Sequence, residues 1–343
     1  MSTKLADART EVRGDELPII DLAAYRAGED GALAAAAREL DRACRDVGFF
    51  FIRNHGVPQG LIDRAFAETR RFHHLPYERK IATPINRDNR GYMRLGGTTL
   101  KTSTVNRNTK PSLNASFFLG RELAPDHPDV VAEKPFRSLN QWPDGLPGFR
   151  ATMVEYMDAL EALSVSLLPL YAVALGMDRD YFTTHAAFRS PTLGLRLIEY
   201  PPQTAIEDNQ FGAAPHCDYG FFTILAQANL PGLELLTKSG DWLAAPAPAG
   251  CFLVNTGDFC MRWSNGRFVS TPHRVVHLGR DTRYSVPFFF STNPEVEIAC
   301  LPTCVGPDNP PKYEPMTYAA YFRAAIDANY HHQSQGSAGS GAV

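Results

Sequence analysis

An α+β fold, a jelly-roll of strands flanked by helices from the first half of the chain, is what three observations in this sequence predict. Apolar residues recur at helical spacing before residue 175, whereas after residue 190 they fall in short runs cut by Pro and Gly. The side chains best suited to bind a metal lie on two of those later runs, far apart in sequence. Helices first and strands later, with two distant strands obliged to face each other, suit a double-stranded β-helix.

Taken in order, residues 31–45 carry Leu33, Ala37, Leu40 and Cys44 on one helical face, and Gly48 follows where a terminator belongs. A second helix is expected over residues 59–72. A longer, apolar-rich one is expected over 149–175, bent at Pro169 and closed by Gly176. Strands are expected at 193–200, 221–227, 252–255 and 284–290. The chain thus divides into a mixed, largely helical region (1–148), a strand-rich region with its leading long helix (149–330) and a low-complexity tail (331–343). The first two form one compact unit, and the tail is expected to be disordered.

Composition sets outer bounds. A chain of 343 residues with 44% hydrophobic and 21% charged residues can bury a substantial core. A net charge of −3 offers no electrostatic footprint for nucleic acid. No apolar stretch approaches the roughly 20 residues needed to cross a bilayer, and the N-terminus lacks the layout of a secretory signal. The expectation is a cytoplasmic protein with neither nucleic-acid nor membrane partners. The six cysteines, at 44, 217, 251, 260, 300 and 304, form no C-x-x-C pair and read as free thiols.

The chemistry concentrates in three residues. In the run Ala214-Pro215-His216-Cys217-Asp218, the period of two along an extended chain turns His216 and Asp218 to one face and Cys217 to the other. His273 follows 55 residues after Asp218. Two imidazoles and one carboxylate can occupy one face of a ferrous ion and leave the other open for reaction. Ten residues beyond His273, alternation aligns Arg283 with Ser285. A guanidinium fork beside a hydroxyl is a seat for a small dicarboxylate. His277, spaced to share a face with His273, is the most plausible decoy, and the remaining histidines lack an aligned carboxylate.

The order H-x-D, distal His, R-x-S resembles the iron(II)- and 2-oxoglutarate-dependent dioxygenases, specifically the isopenicillin-N-synthase-like branch. The resemblance extends to Leu17-Pro18-Ile19-Ile20-Asp21-Leu22 and to residues 47–57, and covers about residues 17–300. It implies a jelly-roll core, Fe(II) on His216, Asp218 and His273, and 2-oxoglutarate and O2 as co-substrates. Arg283 and Ser285 would bind the distal carboxylate of 2-oxoglutarate, with Tyr200 assisting. Family members often carry Asn two residues before this Tyr, whereas this chain has Ile198. The implied reaction oxidises, most commonly hydroxylates, a small organic molecule and releases succinate and CO2. The rival readings are an iron oxidase of the same fold that closes rings or desaturates without 2-oxoglutarate, a zinc hydrolase or lyase, and a non-catalytic binding protein.

For the substrate, the sequence offers the polar and cationic stretch 91–118, expected to be a loop that ends in aromatics. On this expectation Arg107 or Lys110 meets an acidic group of the substrate, while Phe117, Phe118, Phe222 and Phe289 form apolar walls.

Overall fold

A computed structural model describes residues 17–228 and 230–330; the tail expected to be disordered lies outside them. In chain order the main strands are β1 (Ile19–Asp21), β2 (Phe49–Arg53), β3 (Gly91–Met93), β4 (Ala115–Gly120), β5 (Thr192–Tyr200), β6 (Ala213–His216), β7 (Phe222–Gln227), β8 (Leu233–Leu236), β9 (Trp242–Ala244), β10 (Cys251–Thr256), β11 (His273–Val275) and β12 (Arg283–Ser291). Eight of them form one sheet in the order β1-β2-β10-β7-β12-β5-β4-β3, and four form a second, β6-β11-β8-β9. These are the two sheets of the jelly-roll.

The large sheet is buried on both faces, and alternation along its strands sorts their side chains into two cores. Phe50 and Ile52 of β2, Leu193, Leu195 and Leu197 of β5, and Val286, Phe288 and Phe290 of β12 join the core shared with the helices. Their neighbours Phe49, Phe51, Ile198 and Tyr200 turn inward to the space between the sheets. The helices that cover the outer face are Ala32–Asp46, Gln59–His73 and Phe149–Ala174. Gly48, after the first of them, has φ +75 and donates its N–H to the Ala43 carbonyl at 2.8 Å; a β-carbon there would lie 2.4 Å from the Val269 carbonyl oxygen. That combination of handedness and crowding admits only glycine.

Two expectations need correction. The helix Phe149–Ala174, 26 residues long, is long and apolar enough by length and composition to cross a membrane, contrary to the sequence reading. Within the fold its apolar positions, Leu160, Leu167, Leu170 and Tyr171 among them, are buried in the core. Stretch 91–118, read as a loop, begins and ends as β3 and β4, which pair with each other and extend the large sheet beyond β5. The polar residues between those strands masked the alternation that would have revealed them.

Candidate active site

The site is assembled by strand pairing. β6 runs antiparallel to β11 with His216 directly opposite His273, so the two imidazoles are cross-strand neighbours, their centroids 4.4 Å apart. Asp218 lies two residues beyond His216. Its Oδ1 is 3.9 Å from His216 Nε2 and 3.8 Å from His273 Nε2. One ligand atom from each residue falls within 4.8 Å of the others, a spacing at which one ion can touch all three. His216 Nδ1 lies 2.8 Å from the Ala214 carbonyl and His273 Nδ1 3.3 Å from that of Thr271. A carbonyl can only accept, so each Nδ1 donates, and each Nε2 is the ring nitrogen turned toward Asp218 Oδ1, as metal binding requires.

The carboxylate is held just as firmly. Asp218 Oδ2 accepts from Thr223 Oγ1 at 2.6 Å and Asn255 Nδ2 at 2.8 Å, both donors almost fully buried, which leaves Oδ1 free. Burial pushes the Asp218 carboxyl up, but His273, His216, Thr223 and Asn255 together bring it below the ordinary aspartate value. Burial first, and then the neighbouring His273, push His216 down to about 4, so its imidazole stays neutral. Cys217 turns away, its Sγ 3.5 Å from the Ser270 carbonyl. His277 is likewise outside the cluster, bonded to the Asp281 carbonyl at 2.8 Å.

Two cavities meet at this cluster. The smaller, about 540 Å³ counting its open mouth, runs from the cluster to Arg283, Ser285 and Tyr200. Arg283 pairs with Tyr200 across β12 and β5 and holds its guanidinium carbon 4.9 Å from the tyrosine ring centroid. It is 1% exposed; its Nε reaches the Leu230 carbonyl at 3.3 Å, and its Nη1 is buried without a hydrogen-bond partner among the described residues. No ion pair among the described residues neutralises it. A buried, uncompensated guanidinium costs several kcal/mol (roughly 3–5 when a buried pair is broken), so this end of the cavity is built for an anion. Ile198 lines the same cavity.

The larger cavity, about 920 Å³ counting its open mouth, shares His216 and Asp218 with the smaller. Phe118 and Phe289 line it as expected. The other four proposed substrate contacts do not. Arg107 is exposed and Lys110 pairs with Glu207 at 2.9 Å and the Asp208 carbonyl at 2.6 Å; neither lines either cavity. Phe117 faces the helices, 4.3 Å from Phe72 between centroids, because it alternates with Phe118 on β4. Phe222 stacks on Tyr171 at 5.2 Å, since its neighbour Thr223 is the residue turned toward Asp218.

Sequence reasoning missed Thr223 and Asn255, read only as strand residues, and Arg196, although counting back in twos from Tyr200 through Ile198 reaches it. It also missed Tyr219 and the wall formed by Tyr318, Phe322 and Tyr330 from the helix Tyr318–Asn329 and the residue after it. Nothing in the sequence ties that distant helix to the cavity.

A three-ligand cluster in a jelly-roll, with a buried arginine one cavity away, defines a mononuclear metal oxygenase site that takes an acidic co-substrate. Comparison with known proteins agrees. Residues 17–145 match the model described as non-haem dioxygenase in morphine synthesis N-terminal, and residues 191–292 match the 2OG-Fe(II) oxygenase superfamily. The 2-oxoglutarate-Fe(II) type oxidoreductase hxnY of Emericella nidulans is 34% identical over 321 residues, 91% of this chain and 90% of its own. A full-length Neurospora crassa protein, solved in complex with alpha-KG and thymine, superposes with a TM-score of 0.79 at 27% identity, covering 91% of this chain and 96% of the other. A 2OG-Fe(II) oxygenase family protein from Caulobacter crescentus gives 0.78 at 28% identity, with 91% and 99% covered. The chain belongs to the 2-oxoglutarate- and Fe(II)-dependent oxygenases. It is a dioxygenase whose cofactor is Fe(II) and whose co-substrate is 2-oxoglutarate, with O2 implied by the family.

Proposed function

We propose that His216, Asp218 and His273 hold the iron, that Arg283, Ser285 and Tyr200 seat the distal carboxylate of 2-oxoglutarate, and that the larger cavity receives a small organic molecule to be hydroxylated. The observation that carries this reading is the buried Arg283, with an unsatisfied Nη1, at the end of a cavity that begins at the three ligands. When bound, iron with 2-oxoglutarate and dioxygen supplies an oxidation coupled to release of succinate and CO2. The protein's own residues do the rest. His216 and His273 present their Nε2 atoms, Thr223 and Asn255 fix the Asp218 carboxylate, and the aromatic walls keep water from the reacting C–H bond. That the Neurospora crassa neighbour is described with alpha-KG and thymine together supports giving the two cavities to co-substrate and substrate.

An oxidase of the same fold that dispenses with 2-oxoglutarate would leave Arg283 without an anion. The test is succinate formation from 2-oxoglutarate with Fe(II) and O2 by wild type and by the His216→Ala, Asp218→Ala and His273→Ala variants. Wild-type turnover and its loss in all three variants is the expected result; a variant retaining full turnover would contradict the assignment.

A further inference from the structure

Arg196 stands where the two cavities meet, beside His216 and Phe289, and neither the metal nor the co-substrate assignment gives it a task. Its position follows from register. On β5, residues 194, 196, 198 and 200 face the interior, and Arg196 is paired with Phe118 of β4. The guanidinium carbon lies 4.8 Å from the Phe118 ring centroid. Nε donates to Ser116 Oγ at 2.9 Å and Nη2 to Asn114 Oδ1 at 2.8 Å. Two hydrogen bonds and a ring thus fix a planar cation in place, while Nη1 takes part in no hydrogen bond among the described residues.

Among the described residues the charge has no counter-ion. Of the carboxylates lining the larger cavity, Asp88 is paired with Arg323 at 3.1 Å and Asp218 belongs to the metal cluster; no ion pair among the described residues holds Arg196. Opposite it, Phe289 presents its ring to both cavities. Gly194 pairs with Phe289 across β5 and β12, and a β-carbon there would only reach ordinary contact with the ring, at 3.4 Å. Leu100, Phe136 and Phe322 continue the apolar lining outward. A rigid, unneutralised guanidinium at the iron end of an apolar cavity is complementary to an acid with an apolar body.

We infer that Arg196 selects substrates bearing a carboxylate on a ring-containing apolar body, gripping that carboxylate beside the iron site. The inference rests on the assignment of the larger cavity to substrate. It is separable from co-substrate binding because Arg196 lies four residues along β5 from Tyr200, roughly 13 Å at the rise of a strand.

The experiment measures succinate formation at saturating iron and 2-oxoglutarate, with a panel of ring-bearing acids and their matched primary amides, phenylacetate and phenylacetamide among them. Wild type is compared with Arg196→Met and Arg196→Lys. Stimulation of wild type by acids at least tenfold above their amides is expected. That preference should vanish in Arg196→Met and return in part in Arg196→Lys, with the KM for 2-oxoglutarate within threefold throughout. Amides as effective as acids, a panel in which no acid stimulates, or a preference that survives in Arg196→Met would overturn it. A tenfold rise in the KM for 2-oxoglutarate would instead give Arg196 to the co-substrate and also overturn it. Failure of the reading it rests on looks different: wild type would form no succinate even without added substrate and would show no sign of binding 2-oxoglutarate.

Discussion

Replacing Asn255 with Ala should weaken iron binding without touching any atom that meets the metal. Asn255 Nδ2 is one of two donors to Asp218 Oδ2, at 2.8 Å, and is 3% exposed, so no water can easily replace it. A hydrogen bond to a charged acceptor contributes about 1.5–3 kcal/mol, and at about 1.4 kcal/mol per decade that becomes roughly a 10- to 100-fold loss of affinity. The same range is typical when a partner that orients a metal ligand is removed (about 10–100-fold). Thr223→Val deletes the other donor, at 2.6 Å, and should act similarly. Because both bonds end on one oxygen, the double variant should depart from additivity. The assay is anaerobic titration with Fe(II) in the absence of 2-oxoglutarate, with circular dichroism to verify the fold. A folded Asn255→Ala protein that binds iron within twofold of wild type would refute the idea that this bond positions the ligand.

Three further outcomes are expected. Arg283→Ala should raise the KM for 2-oxoglutarate by roughly 10- to 100-fold, the equivalent of one or more charged hydrogen bonds, while Fe(II) affinity measured separately stays unchanged. Asn329→Ala should lower stability by about 2–3 kcal/mol in denaturant titrations, since its side chain joins Thr102 Oγ1 at 2.7 Å, the Thr102 N–H at 3.1 Å and Tyr219 Oη at 2.9 Å, each bond contributing about 0.5–1.5 kcal/mol. Glu199 is opposed by its own burial, but the His73 hydrogen bond, His73, Lys80 and His74 outweigh this and hold its carboxyl below the ordinary value. An acid with a depressed folded pKa stabilises above its unfolded value and loses that contribution as pH falls through the folded one. Glu199→Gln should therefore cost stability at pH 7, and the difference from wild type should shrink below about pH 4.5; a penalty independent of pH would refute the sign.

Much of the site was legible because its geometry depends on short-range periodicity. The period of two aligns His216 with Asp218 and Arg283 with Ser285, and it sends Cys217 away, all without knowledge of the fold. Pairing across strands is not legible in that way. Only the register of β6 against β11 brings His273 beside His216, and only β4 against β5 sets Phe118 under Arg196. The polar stretch between β3 and β4 drew attention to Arg107 and Lys110 because cations in a loop look available; in the fold Lys110 is spent on Glu207 and Arg107 faces solvent. The contribution of Tyr318, Phe322 and Tyr330 depends on where a helix about 100 residues from the H-x-D comes to rest, which no local pattern encodes.

The proposed assignment gives iron to His216, Asp218 and His273 and the distal carboxylate of 2-oxoglutarate to the buried Arg283. Anaerobic titration of the iron(II)-loaded protein with 2-oxoglutarate tests this pairing without knowledge of the substrate, through the weak visible charge-transfer band of a keto acid chelated to iron. A saturable band in wild type, shifted to much higher 2-oxoglutarate concentration or lost in Arg283→Ala while iron remains bound, is the predicted result. Absence of the band in wild-type protein with verified bound iron, or a band that saturates identically in Arg283→Ala, would contradict it.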